Sequence, residues 1–190
     1  MARPREFDED SVIEAIKDVF WRNGYAGTSY ADLIAASGLH KGSLYAAFGD
    51  KRALYLRALQ SYDAHEVAGA VVLLSGGDGA QTTGRKRIKA LLNAVIDAVV
   101  IDNDRRGCLL CNASVDQAPH NKSVEGIVSN GLKRLQSAFE AALASEKKGA
   151  ALKEAASLCN AAYFGMRVMA KSGAPISMMK QARNGVLKSI

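Results

Sequence analysis

Residues 28–48, T-S-Y-A-D-L-I-A-A-S-G-L-H-K-G-S-L-Y-A-A-F, decide the reading of this chain. They form two short helical patterns joined by a tight turn. Thr28 or Ser29 can cap the first, because either side-chain oxygen can accept a hydrogen bond from an otherwise unpaired N–H of the first turn. Leu33 and Ile34 supply its buried face. Gly38 stands where a helix stops and positive φ is usual, and Leu39 is the apolar residue that plugs the corner. The second pattern runs over residues 40–48 and buries Leu44 and Phe48, four apart, which leaves Lys41, Gly42, Ser43, Tyr45 and Ala46 on or near its outer side. The spacing predicts a helix-turn-helix whose second helix is free to enter a groove of DNA.

Outward from that stretch, the apolar residues Val12, Ile13, Ile16, Val19 and Phe20 recur at three and four and predict an amphipathic helix over residues 8–23, ended by Gly24. Asp8, Glu9 and Asp10 crowd its start, where the helix dipole favours negative charge. Asp50 is placed to cap a further helix that carries Leu54, Leu56, Ala58 and Leu59 toward Leu74. Residues 75–84 hold four glycines and no large apolar side chain, and so read as a flexible loop. Residues 85–101 are again amphipathic. Their basic start, Arg85-Lys86-Arg87 and Lys89, admits two readings, a solvated edge or a second contact with DNA or an acidic partner. After a polar loop at 102–107 come a short helix over 108–118 stopped by Pro119, a long one over 123–146, another over 152–171 broken by Gly173 and Pro175, and a last one over 176–190. The sum is an all-α chain of about nine helices with no strand pattern and no internal repeat. A three-helix head occupies residues 1–60, and a helical bundle occupies residues 61–190.

Over about its first 60 residues the chain also resembles a known family. Gly38, Lys41-Gly42, Leu44-Tyr45, Phe48 and Lys51 fall in the register of the TetR/AcrR (tetracycline-repressor-like) regulators. His40, Ala46 and Ile34 depart from it, standing where a capping Ser, a His and a small residue are usual. The segments G-C-L-L-C-N-A-S-V-D-Q-A-P-H and G-M-R-V-M-A-K-S-G-A are similar to parts of the ligand-binding half of one subgroup. The resemblance implies that Thr28, Tyr45 and Lys51 hold phosphates, while Lys41, Gly42 and Ser43 lie near bases; Ser29 is also expected in the DNA-binding set. It also implies a small organic effector enclosed in the C-terminal bundle and a homodimer closed by the last two helices.

Charge does not carry the DNA argument by itself. The net charge is +6, yet residues 1–60 hold eight Lys or Arg and eight Asp or Glu, so the excess lies in the body. Placement is what counts: Arg3 and Arg5 precede the first helix, and Lys41, Lys51 and Arg52 surround the second helix of the motif. No run of 18 apolar residues exists, and the N-terminus carries charges rather than a leader's apolar core; a cytoplasmic protein with no membrane contact is expected. An odd number of cysteines, three, fits a reducing compartment.

An effector site is expected beside Cys111, Asn112, Val115, Asp116, Phe139, Tyr163 and Met166, which mix thioether and aromatic surface with a few polar groups. Met169, Met179, Val186 and Leu187 are expected at the dimer interface. Cys108 and Cys111, three apart, admit a structural or pocket-lining role, a redox role, or a metal site with Cys159 and His120. No catalytic constellation, metal or cofactor is expected, since His40, His65 and His120 fall far apart in the sequence and no phosphate loop occurs. The reading is a DNA-binding regulator, a repressor released from a palindromic double-stranded operator by a small apolar or amphipathic molecule. Its rivals are a thiol- or metal-responsive regulator and a helical binding protein or enzyme that borrows the fold.

Overall fold

The computed structural model describes residues 7–76 and 82–190, so Arg3 and Arg5, and the middle of the expected 75–84 loop, lie outside the described residues. The helices are α1 (Glu9–Gly27), α2 (Tyr30–Ser37), α3 (Lys41–Phe48), α4 (Lys51–Tyr62), α5 (Ala68–Ser75), α6 (Gly84–Val100), α7 (Leu109–Asp116), α8 (Lys122–Leu143), α9 (Gly149–Lys171) and α10 (Ile176–Ser189). A π-helical segment, Asp63–Val67, joins α4 to α5 without a break, and counting that run once gives nine α-helices among the described residues, as expected. No strand occurs among the described residues.

In the head, α1 packs on α2 and α4, and Ile16, Phe20, Leu33, Leu44 and Leu54 meet in its core. Phe20 and Tyr25 both stand edge-on to Tyr55, with ring centres 5.0 Å away. Asp8 caps α1, and Gly24, at φ +72°, breaks its helical geometry where the sequence places the end, although helical hydrogen bonding resumes to Gly27.

The body stacks α8 on α9, with α5, α6 and α10 around them. Two glycines set its tightest crossings. A Cβ on Gly84 would come 1.7 Å from the backbone oxygen of Ala142, and one on Gly131 would come 2.4 Å from Leu110 Cδ1. Gly84 is therefore a buried contact of α6 on α8, where the sequence suggested only a flexible loop.

The basic start of α6 also has a structural use. Arg87 donates to the carbonyl of Leu74 at 2.7 Å and to that of Thr82, and Arg85 donates to that of Ile190 at 3.0 Å. Both cations thus serve carbonyls at the negative C-terminal ends of other helices, which outweighs their unfavourable place on their own.

Head and body share one continuous core. Trp21 of α1 donates through Nε1 to the Gly107 carbonyl at 3.2 Å, and Arg167 of α9 donates to the same oxygen at 2.9 Å. The Arg106 guanidinium covers the Trp21 ring and pairs with Asp18 at 2.7 Å and Asp104 at 2.8 Å. No described helix is long and apolar enough to cross a membrane.

Candidate DNA-binding face and ligand groove

Ser29, not Thr28, starts the helix-turn-helix. The Ser29 hydroxyl accepts from the Asp32 N–H at 3.1 Å, and Asp32 accepts from the Ser29 N–H at 2.8 Å, a reciprocal pair that satisfies two orphan donors. These bonds from Ser29 also hold the Asp32 carboxyl below its usual range. Thr28 is 1% exposed and its hydroxyl donates inward to the Gly24 carbonyl at 2.7 Å. Its expected phosphate contact is corrected: that hydroxyl is spent on closing the end of α1.

Gly38 ends α2 in the left-handed region at φ +66°, and α3 follows two residues later. His40 sits at the cap of α3 without a side-chain bond, so nothing replaces the usual Ser there. Leu44 and Phe48 face inward; Lys41, Gly42, Ser43 and Ala46 are exposed. Nothing lies within 4 Å of a Cβ placed on Gly42, so the fold itself does not require a glycine there. Tyr45, half-buried, leans on Tyr30 with ring centres 5.4 Å apart. Asp50 caps α4 by accepting from Ala53 N–H at 2.8 Å, and the Lys51 ammonium lies 4.6 Å from the centre of the Tyr25 ring. An ammonium beside a helix N-terminus is a suitable seat for a phosphate. Ser29, Lys41, Gly42 and Ser43 are exposed and Tyr45 and Lys51 half-buried, whereas Thr28 is buried.

The expected effector site divides in two. Cys111, Asn112, Val115 and Asp116 line a groove of about 550 Å³ between α1, α7 and α9, together with Arg22, Asn23 and Gly24 of the head and Arg167 and Lys171 of the body. Phe139 and Met166 are fully buried and are not among the residues that line this groove, which corrects their assignment to it. Helical periodicity gives side chains a common face but cannot tell a filled interface from a cavity. Tyr163 borders a separate small cavity of about 70 Å³ between α6 and α9, shared with Leu91, Asp104 and Arg167. Val115 is 82% exposed and stands at the rim of the groove rather than inside. The Asn112 side-chain nitrogen is buried with no hydrogen-bond partner among the described residues.

Cys108 is the cap of α7 rather than part of its face: its sulfur accepts from the Cys111 N–H at 3.5 Å. Burial opposes its ionisation, but hydrogen bonds from Cys111 and Tyr62 and the charge of Arg167 prevail and lower the thiol to about 6. Cys111 moves the other way, because its thiol is bonded to Cys108 and is itself partly buried. Arg167, half-buried, donates through Nε to the Tyr163 hydroxyl at 3.1 Å. Sequence reasoning passed over Arg167, although a lone Arg between Tyr163, Met166 and Ala170 on an apolar face was a usable signal. Among the described residues no three of His, Cys, Asp and Glu come together as a metal set.

The dimer assignment also needs correction. Met179 and Val186 point into the protomer, against α6 and α9, and Met169 and Leu187 are half-buried against the same core. The apolar groups left outside are Leu158 and Val168 on α9 and Met178 on α10. Exposed Ala161 and half-buried Gly165 lie between the first two at helical spacing.

An all-helical chain whose head presents a helix-turn-helix ahead of a helical body is, by class, a DNA-binding transcriptional regulator. Residues 12–58 match the family model described as bacterial regulatory proteins, tetR family, and the chain belongs to the TetR family. It is 30% identical over 139 residues to the uncharacterized HTH-type transcriptional regulator YezE of Bacillus subtilis, covering 73% of this chain and 70% of that protein. It is also 40% identical over 60 residues to the Escherichia coli transcriptional repressor ComR, covering 32% of this chain and 29% of that one. Among solved structures, a cysteine variant of the TetR family regulator CifR, bound to a 26-base-pair operator, superposes with a TM-score of 0.81 over 98% of both chains at 30% identity. The relatives are regulators and not enzymes.

Proposed function

We propose that this chain is a cytoplasmic repressor that holds a palindromic operator as a two-fold dimer and leaves it when a small apolar or amphipathic molecule enters the groove between α1, α7 and α9. Residues 1–60 serve DNA, and residues 61–190 serve dimerisation and most of the ligand site. The observation that carries the reading is the ownership of the groove walls: Arg22, Asn23 and Gly24 come from the head, and Cys111, Asn112 and Arg167 come from the body. An occupant touches both parts and so can prefer one arrangement of them, which is the thermodynamic requirement for coupling. The unpaired Asn112 amide offers a donor to a carbonyl or hydroxyl of that occupant.

Dimerisation follows from the economy of recognition, since one α3 reads too few bases and paired half-sites supply the rest. The Leu158, Ala161, Gly165, Val168 stripe of α9, beside Met178 of α10, supports a face for the second copy.

The test is a gel-shift titration on fragments selected from the protein's own genome, repeated with a panel of small amphipathic compounds. A coupling of about 3 kcal/mol, on the order of a hundredfold, lies in the usual range for release. Release abolished by Asn112→Trp, with DNA affinity intact, supports the reading. A variant that still releases DNA normally would place the ligand elsewhere.

A further inference from the structure

The segment Cys108-Leu109-Leu110-Cys111 puts two thiols on the first turn of α7, and the fold surrounds them with more than packing requires. Leu109 and Leu110 are buried and pin the turn, while both cysteines are among the residues that line the groove. The Cys108 sulfur accepts from the Cys111 N–H at 3.5 Å, and Arg167, whose charge favours the Cys108 thiolate, lines the same groove. Two cysteines separated by two residues at a helix start can close a disulfide with little backbone change, and the N-terminal one is the better nucleophile there because the helix end and a cation favour its thiolate.

We propose that Cys108 and Cys111 are a peroxide-oxidised dithiol, in which Cys108 attacks first and Cys111 resolves, and that closing the disulfide weakens the grip on DNA. In the first step the Cys108 thiolate attacks an oxygen of a hydroperoxide; the S–O bond forms, the O–O bond breaks, and the departing alkoxide takes up a proton and leaves as the alcohol. In the second, the Cys111 sulfur attacks the Cys108 sulfenic sulfur; the S–S bond forms, and hydroxide leaves with the Cys111 proton as water. Two electrons pass from the thiols to the peroxide.

The route to DNA is the neighbouring peptide. Gly107, at φ +75°, offers its carbonyl at once to Trp21 of the head and Arg167 of the body, and a Cβ there would come 2.9 Å from the Arg167 carbonyl oxygen. The joint is tight. Converting the thiolate to a neutral disulfide takes the charge partner from Arg167 and re-aims the Cys108 backbone one residue from that shared carbonyl. The effect on DNA rests on the regulator reading above; the thiol chemistry does not.

The wild-type protein is treated with a few equivalents of an alkyl hydroperoxide and divided between peptide mapping by mass spectrometry and a gel shift. The expected result is a Cys108–Cys111 disulfide, loss of two hydrogens, and a fall in DNA affinity of about tenfold or more, both reversed by dithiothreitol. Cys111→Ser should accumulate a dimedone-trapped sulfenic acid on Cys108, and Cys108→Ser should leave Cys111 unoxidised. Thiols that stay free in the wild-type protein, or Cys111 oxidised equally without Cys108, would overturn the dithiol. A disulfide that forms without changing DNA affinity would overturn its regulatory role and leave the effector reading standing.

Discussion

The guanidinium carbon of Arg106 lies 3.9 Å from the centre of the Trp21 ring, so a residue of the loop before α7 covers an aromatic of the first helix. The same arginine pairs with Asp18 and Asp104, and it hydrogen-bonds so well that its own proton is held more firmly than usual while the Asp104 carboxyl is pushed down. Arg106→Ala removes the cation–π contact and both ion pairs at a partly shielded joint, with an expected loss of about 1–2 kcal/mol. Thermal unfolding should fall by about 2–8 °C, and the head should lose its fixed angle to the body. An unchanged melting curve would show that the joint is held by Trp21 and Gly107 alone.

On the DNA side, Lys51→Ala removes a cation beside the start of α4 and should weaken every sequence about equally, lowering the salt slope by roughly one unit. Replacing Lys41 or Ser43 should instead change which bases are preferred. Gel-shift titrations at several salt concentrations, on matched and mismatched fragments, separate the two behaviours.

Gly42 gives a sharper contrast. Because a Cβ there meets nothing, Gly42→Ala should raise stability by about 0.5–1 kcal/mol through better helix propensity. If α3 seats its backbone closely on DNA, the same change should weaken operator binding. Chemical denaturation and a gel shift on one preparation check both halves.

At the dimer face, Val168→Glu should yield a folded monomer, because the residue is exposed in the protomer. Val186→Glu buries an unpaired carboxylate and should unfold the chain instead. Sedimentation combined with circular dichroism distinguishes the outcomes, and a Val168→Glu dimer at micromolar concentration would exclude this face.

Thiolate, not thiol, is the nucleophile, so a depressed thiol pKa makes Cys108 reactive at lower pH. Its alkylation by iodoacetamide should rise through about pH 6 and level off above it, whereas the unfolded chain should rise near the free-thiol value of about 8.5. Arg167→Gln removes a cation that favours the charged form and should move the midpoint upward. Mass-resolved alkylation of Cys108 across pH reads both.

The helix-turn-helix was legible because its signals are local. Gly38, the Leu44 and Phe48 pair and the Asp50 cap act within one or two turns, and each performs in the fold as its position suggests. Thr28 and Ser29 could not be separated by composition; the choice was made by the carbonyl of Gly24, available only once α1 had broken there. The body was legible as helices but not as a cavity. Whether Met166 and Phe139 face a void or packed neighbours depends on how the helices around α8 seat on it, and two of those seats, Gly84 against Ala142 and Gly131 against Leu110, appear only in three dimensions. Met179 and Val186 failed as interface residues for a related reason: an amphipathic stripe says that one face is buried, not by which partner.

The π segment has a consequence for the direction in which the head faces. Along α4 the buried residues are Leu54, Tyr55, Ala58, Leu59 and Tyr62, and a plain α-helix would continue the Tyr55, Leu59, Tyr62 line at 66, 69 and 73. Instead Val67, Ala70 and Leu74 are buried, each one position later. The wide turn has absorbed one residue and re-phased the rod by roughly 100°. Removing one residue between 63 and 67 should straighten the ladder and swing the two ends out of register, so that head and body can no longer bury their stripes together. The connector thus works as a keyed shaft, and its key is a single surplus residue.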